Sequence, residues 1–380
     1  MKKNIIYADN AATTKLDDEV FCAMKPYLLE EYGNASQPYS FARPAKKALK
    51  TARKDIADCI GSKPEEIYFT SGGTESDNWA IKGSVTLNSE KRGIITCEIE
   101  HHAILNSCTS IERFNYPLLY LSVDNYGEVS VQHLEKIISK DTKLVSVMMA
   151  NNEIGTIQPI KELGTLVHRF GAKFHTDAVQ ALGHVRVNVE ELGVDMLSGS
   201  AHKFNGPKGI GFLYIKNGII LDAYANGGSQ ENGMRAGTEN IASIVGMAAA
   251  LKKNCLNLDK NKQHLEMLTY LLLEKLDQSG VIYIRNGIHQ LPGLLSLSFP
   301  GFNGEALLHR LDLMGVCVST GSACNSKSTQ ISHVLKAIKL DHCYAEGTIR
   351  ISLGYENTIS DVTKIANSII KVTQADCSGY

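Results

Sequence analysis

Between residues 66 and 215 short apolar runs alternate with stretches of helical period, and this alternation constrains the chain more than anything else in it. Residues 66–70, 93–97, 118–123, 144–150, the segment closing on Asp177, a run through Val194, Met196 and Leu197, and 210–215 read as strands. Between them, the stretch carrying Trp79 and Ile81, one opening near His102, and residues 131–138 and 160–170 read as helices. Strands alternating with helices predict an α/β fold with a mainly parallel sheet covered on both faces. Ligands of such sheets sit beyond the carboxyl ends of the strands, so the residues just past each run are the candidates for chemistry.

Outside that block the pattern changes. Residues 17–31 and 42–60 read as helices, the first with Pro26 as a possible kink and Gly33-Asn34 as its stop. A helical pattern over 241–276, interrupted near 257–261, marks the change of domain. After it come strands near 281–284, 294–299 and 316–319, helices near 305–314, 331–338 and 360–373, and a short strand holding Arg350. We therefore expect a large α/β domain over 15–255 and a small α+β domain from 1–14 and 256–380, a division that 380 residues readily support.

Two residues set the chemistry. Lys203 lies on a turn between two strands among small neighbours (Ser198, Gly199, Ser200, Ala201), which leave room for a large group to approach; desolvation there frees an amine for imine formation with an aldehyde. Upstream, Asp177 falls at the end of a strand. A lysine and an acid so placed suit pyridoxal 5'-phosphate (PLP), which needs an amine for its aldehyde and a carboxylate opposite its ring nitrogen. A solvated loop lysine and a helix-capping aspartate are the competing readings. Gly72, Gly73 and Thr74 form a glycine-rich turn from strand into helix, whose unpaired N–H groups suit a phosphate.

Other polar residues fall beyond strand ends. Of His101 and His102, adjacent residues that rarely face one site together, one suits stacking on a ring and moving protons. Arg350, flanked by Ile349 and Ile351, offers a planar fork for an α-carboxylate, or else pairs with a neighbouring acid. The nine cysteines are scattered with no C-x-x-C pair, which fits neither a disulfide framework nor a zinc site. Cys324 stands apart, in a twelve-residue stretch (319–330) without a large apolar side chain; an exposed thiol near Lys327 is suited to attack sulfur and carry it as a persulfide.

Nine motifs, in order from residue 9 to about 354, resemble the cysteine desulfurases of the NifS/IscS type in the class V aminotransferase family. They are Asp9-Asn-Ala-Ala-Thr-Thr14, Thr70-Ser-Gly-Gly-Thr-Glu-Ser-Asp-Asn78, Glu100-His101, Asn151-Asn-Glu-Ile-Gly155, the Asp177 segment with Gln180, Ser200-Ala-His-Lys203, Arg235-Ala-Gly-Thr238, Ser319-Thr-Gly-Ser-Ala-Cys324 and Arg350-Ile-Ser-Leu-Gly354. The spacing after Cys324 resembles the long-loop subgroup. One departure is Ala35-Ser-Gln-Pro-Tyr39, where relatives carry a proline and a histidine.

The resemblance implies the type I PLP fold with a mainly parallel seven-stranded sheet. It further implies conversion of L-cysteine to L-alanine with the sulfur left on Cys324, Lys203 and His101 moving protons, and Asp177 and Gln180 on the cofactor ring. Gly73, Thr74, Ser200 and His202 would hold the phosphate, joined by Thr238 from the partner subunit of a homodimer, while Asn152 lies beside the cofactor's ring oxygen and, with Arg350, holds the substrate carboxylate. The sulfur acceptor would be an iron-sulfur scaffold or a thiolation protein. A selenocysteine lyase or other PLP enzyme of the class is an alternative, as is a non-catalytic sulfur-carrier or scaffold-binding homologue. The net charge of -1 argues against a nucleic-acid or membrane-surface binder, and the expected place is the cytoplasm.

Overall fold

The computed structural model describes residues 5–85, 90–320 and 331–375. Its centre is a seven-stranded sheet. Taken across the sheet, the strands are Ile67–Thr70, Gly211–Ile215, Met196–Ser200, Lys173–Asp177, Thr142–Ser146, Gly93–Cys97 and Leu118–Leu121. The last five run parallel; Gly211–Ile215 is antiparallel to both its neighbours and makes a hairpin with Met196–Ser200 around Lys203.

Strands buried on both faces must be apolar at successive positions, and these are. Ile95, Val145, Leu197, Phe212 and Tyr214 face one core, while Ile94, Leu144, Met196, Leu213 and Ile215 face the other. Helices Arg43–Ile60, Ile160–Arg169 and Ile241–Leu256 supply apolar residues to the first core, and Gly73–Gly83 and His102–Glu112 to the second.

The interruption expected over 257–261 is confined to Asn257, which separates Ile241–Leu256 from Leu258–Ser279. Beyond it lies a separate core formed by Leu265, Leu268, Leu295, Leu297, Phe299, Ile349, Ile351 and Ile365, joined by Ile6 and Ala8 from the start of the chain. It contains a three-stranded antiparallel sheet, Ile284–Asn286, Leu294–Ser298 and Thr348–Ser352, and a parallel pair of Ile6–Tyr7 with Val316–Cys317. The segment around Val334, Leu335 and Ile338 packs instead on the first core.

Two strands lie elsewhere than the sequence suggests. The run at 281–284 pairs only over Ile284–Asn286, because its register is fixed by Leu294–Ser298 opposite; Ile282 is exposed. The run at 144–150 is a strand only over Thr142–Ser146; beyond it Val147 N and Met149 N still donate to His175 O and Asp177 O, while Met148 and Ala150 line a cavity.

Candidate active site

A cavity of about 340 Å³ lies beyond the carboxyl ends of four parallel strands. Each strand delivers its residue just past the end: His101 after Gly93–Cys97, Asn152 after Thr142–Ser146, Asp177 at the end of Lys173–Asp177, and Lys203 after Met196–Ser200. Gly73, Thr74, Gln180, Ser200, His202 and Arg350 also line it. Of the site residues read from the sequence, Gly72 does not line this cavity, Thr238 is exposed and does not line it either, and Cys324 lies outside the described residues.

The segment 9–14 stitches the site together. Lys203 Nζ donates to the carbonyls of Ala11 (2.6 Å) and Ala12 (2.8 Å), and Gln180 Nε2 also donates to Ala11 O (2.9 Å). Thr14 donates twice to His202 O, and the Ser352 hydroxyl accepts from Ala11 N. The small side chains at 11 and 12 allow this close approach of backbone to the lysine. Gln180 thus has one amide hydrogen committed to the main chain and one remaining for an acceptor in the cavity.

Burial and charge tune each titratable group. Asp177 is buried, which pushes its carboxyl up to about 6, while the Val179 N–H (2.9 Å) and the positive charge of Lys203 hold it down. His101 is pushed down to about 4 by burial and by the charge of Lys203, so it is neutral near pH 7. Its Nδ1 accepts from Ala103 N (3.1 Å) at the start of helix His102–Glu112, which leaves the proton on Nε2. His202, also pushed down to about 4 by burial and Lys203, meets the Thr13 hydroxyl at 3.2 Å.

At the turn after Ile67–Thr70, helix Gly73–Gly83 begins with no side-chain cap. Its first N–H groups are therefore left for a ligand at the positive end of the helix. A Cβ on Gly73 would stand 2.6 Å from Val179 Cγ2, so only glycine lets this turn lie against the Asp177 turn. At the other end of the cavity Arg350 is buried, with Nη1 donating to Asn152 O (2.9 Å) and Nη2 to Asp9 Oδ1 (2.7 Å). Its Nε is buried with no hydrogen-bond partner, an orphan donor that a carboxylate would satisfy. Of the asparagine pair, Asn151 is spent on Ile99 O and on the N–H groups of Glu153 and Ile154, while Asn152 lines the cavity.

Three acids were not singled out in the sequence. Asp77 lines the cavity one helical turn beyond Thr74, and the i, i+3 spacing on a common face was the available signal. Glu100, beside His101, is fully buried and accepts from Met148 N. Burial, and the nearby charge of Asp177, push both well above the ordinary carboxylate range. Asp9 pairs with Arg350 across 341 residues of chain, a contact no local pattern signals. Among the described residues no cluster of side chains suits a metal ion, and no helix is long and apolar enough to cross a membrane.

A mainly parallel seven-stranded sheet with a lysine on the hairpin after one strand and a buried acid at the end of the next is the aminotransferase-like fold of PLP-dependent enzymes. The chain belongs to the aminotransferase class-V family, which matches residues 6–365. It is 48% identical over 364 residues to the cysteine desulfurase IscS of Dictyoglomus turgidum, covering 95% of this chain and 92% of that one. Among solved structures it is similar to a NifS-like protein (TM-score 0.92, 38% identity, 98% of this chain and 100% of that one). SspA in complex with cysteine is another such structure (TM-score 0.82, 35% identity, 93% and 99% covered).

Proposed function

We propose that this chain is a PLP-dependent cysteine desulfurase that turns L-cysteine into L-alanine and leaves the sulfur as a persulfide on Cys324. The observation that carries the reading is one cavity holding Lys203, buried Asp177 and, at its far end, Arg350 with an orphan Nε. An amine, an acid and a carboxylate grip are what a PLP enzyme acting on an amino acid requires.

The residues fit the cofactor. The uncapped helix start at Gly73 and Thr74, with Ser200 and His202 beside it, is a cradle for the phosphate, and Gly73 has no Cβ to fill it. Asp177, at the floor, suits the ring nitrogen; Gln180 keeps one N–H for the ring oxygen; His101 stands where a ring can stack. When bound, PLP supplies an electron sink for the pair left behind when the Cα proton departs.

The side chains do the rest. Arg350 fixes the substrate carboxylate through Nε and a terminal nitrogen, with Asn152 beside it. Lys203 is the amine that would hold the cofactor aldehyde, and its free amine would take the Cα proton and return one to the product. His101, neutral and protonated at Nε2, is a hydrogen-bond donor in that exchange and not its base. Cys324 attacks the substrate sulfur, so that L-cysteine and the Cys324 thiol give L-alanine and the Cys324 persulfide.

A homodimer with Thr238 reaching the partner's phosphate site is part of this reading. It is supported by the exposure of Thr238 and by two ion pairs that pin its loop: Arg53 with Glu231 (2.6 and 2.8 Å) and Arg235 with Glu75 (2.9 Å). The IscS naming of the relatives is consistent with an iron-sulfur scaffold or thiolation protein as acceptor.

The test is alanine and sulfide release from L-cysteine with a reductant, for wild type and Cys324→Ala, alongside the visible spectrum. A visible cofactor band in both proteins with turnover in the wild type alone is expected. Equal turnover in the variant would remove Cys324 from the mechanism, and no band after incubation with PLP would overturn the assignment.

A further inference from the structure

Away from the cavity, helices Arg43–Ile60 and Ile241–Leu256 pack side by side in the first core. They run in the same direction, because Lys252 pairs with Asp55 (3.0 Å) and, one turn further along both, Cys255 meets Cys59. Both are partly exposed and line a separate cavity of about 740 Å³, bordered by Gly61, Arg186, Asn188 and Asp259. Two neighbouring, partly exposed cysteines lining one cavity differ from the buried Cys97 and Cys108, which no reagent reaches.

The thiols are unequal. The neighbouring Cys59 thiol pulls Cys255 below the ordinary thiol value, while the Cys255 sulfur beside it and burial push Cys59 up. Cys255 is thus the better thiolate and Cys59 the thiol held against it.

We propose that Cys59 and Cys255 form a redox-active dithiol that low-molecular-weight disulfides convert to an intramolecular disulfide. The Cys255 thiolate attacks one sulfur of the external disulfide, forming a mixed disulfide and expelling one thiolate. Cys59 then loses its proton to solvent and attacks the Cys255 sulfur, closing the Cys59–Cys255 bond and expelling the second thiolate. Two protein thiols are oxidised, the external disulfide is reduced to two thiols, and a second thiol reagent reverses the exchange. The closed form staples the helix that begins just after Thr238 to the helix beside it.

The experiment treats the PLP-loaded protein with glutathione disulfide, blocks remaining thiols with iodoacetamide and maps the peptides by mass spectrometry. The expected result is a Cys59–Cys255 linked peptide, lighter than its two thiol parts by the two lost hydrogens, about 2 Da, and abolished by dithiothreitol. Cys59→Ser should stop at the first exchange, with glutathione held on Cys255; Cys255→Ser should leave Cys59 blocked by iodoacetamide. The proposal is overturned if wild-type Cys59 and Cys255 are both alkylated while exposed Cys22 and Cys343 carry glutathione. It is overturned equally if the two variants take up glutathione alike and the wild type shows no link. No readout depends on turnover, so the result stands apart from the desulfurase reading.

Discussion

Replacing Gly73 by alanine tests whether the phosphate turn and the Asp177 turn form one interlocked unit. The new Cβ would lie 2.6 Å from Val179 Cγ2 and 3.6 Å from Ser200 Cβ. Carbon atoms in contact prefer ~3.5–4.0 Å, so the first distance is short by roughly 1 Å. Valine is stiff at χ1, and the Val179 N–H is tied to Asp177 Oδ1 at 2.9 Å, so the relief must come from moving a turn. Overpacking of this kind costs about 1–3 kcal/mol. Alanine gains at most ~1 kcal/mol over glycine inside a helix, and less at the first position, where Gly73 stands. The clash therefore wins, and its cost falls on the cofactor site: PLP affinity should drop about 5- to 150-fold. The single tryptophan, Trp79, is buried in the same helix, so its fluorescence can follow PLP titration into the apo protein. Val179→Ala deletes the clashing Cγ2 and should return the double variant to within a few-fold of wild type. Wild-type affinity in Gly73→Ala, or a double variant no better than the single, would refute the reasoning.

Arg350→Lys keeps the charge but loses the planar fork that reaches Asn152 O and Asp9 together; KM for L-cysteine should rise about tenfold or more while PLP affinity holds, and an unchanged KM would remove Arg350 from substrate binding. His175 is fully buried between the hydroxyls of Ser146 (2.9 Å) and Ser198 (3.0 Å), and burial pushes it down to about 3. Because its folded value lies below the unfolded ~6.5, the unfolded chain binds the extra proton, and stability falls as pH drops from about 6.5 toward 3. His175→Gln, though less stable near pH 7 by about 1–3 kcal/mol if its hydrogen bonds are poorer, should lose stability less steeply between pH 7 and 4.5 in denaturant titrations. Identical slopes would show that His175 is not held neutral.

The parallel sheet was legible because its strands are buried on both faces and so apolar at consecutive positions, as at Ile94-Ile95 and Leu144-Val145. Strand ends were less so. Met148 and Ala150 are as apolar as the strand before them, yet they line the cavity, and composition does not distinguish a residue lining a pocket from one in a ladder. Ile282 shows the converse, an apolar residue left exposed because the pairing of its neighbours is set from Leu294–Ser298. Lys203, Asp177 and Arg350 stood out because each is a charged residue in small or apolar surroundings. Asp9 did not, since its meaning comes only from Arg350, and the Cys59–Cys255 contact depends on helix packing that spacing along the chain does not reveal.

The three acids around the cavity floor show how position decides charge. Asp77, Glu100 and Asp177 lie within one another's electrostatic reach and are all buried, so ionising all three would set like charges against each other with little water to screen them. What separates them is the positive charge of Lys203, which only Asp177 feels. Asp77 Oδ1 and Glu100 Oε2 are buried without a hydrogen-bond partner, although the other Glu100 oxygen accepts from Met148 N; Asp177 accepts from the Val179 N–H and in addition feels Lys203. Asp77 and Glu100 accordingly keep their protons, and the negative charge settles on Asp177, the acid that suits the ring nitrogen. That choice rests on the Lys203 charge together with the main-chain donor at Val179, the residue whose side chain also bounds the Gly73 turn. A substitution that pushes Val179 aside therefore acts twice, once on the phosphate cradle and once on the charge beneath the ring, which is why the Gly73→Ala effect should exceed what the lost space alone would cause.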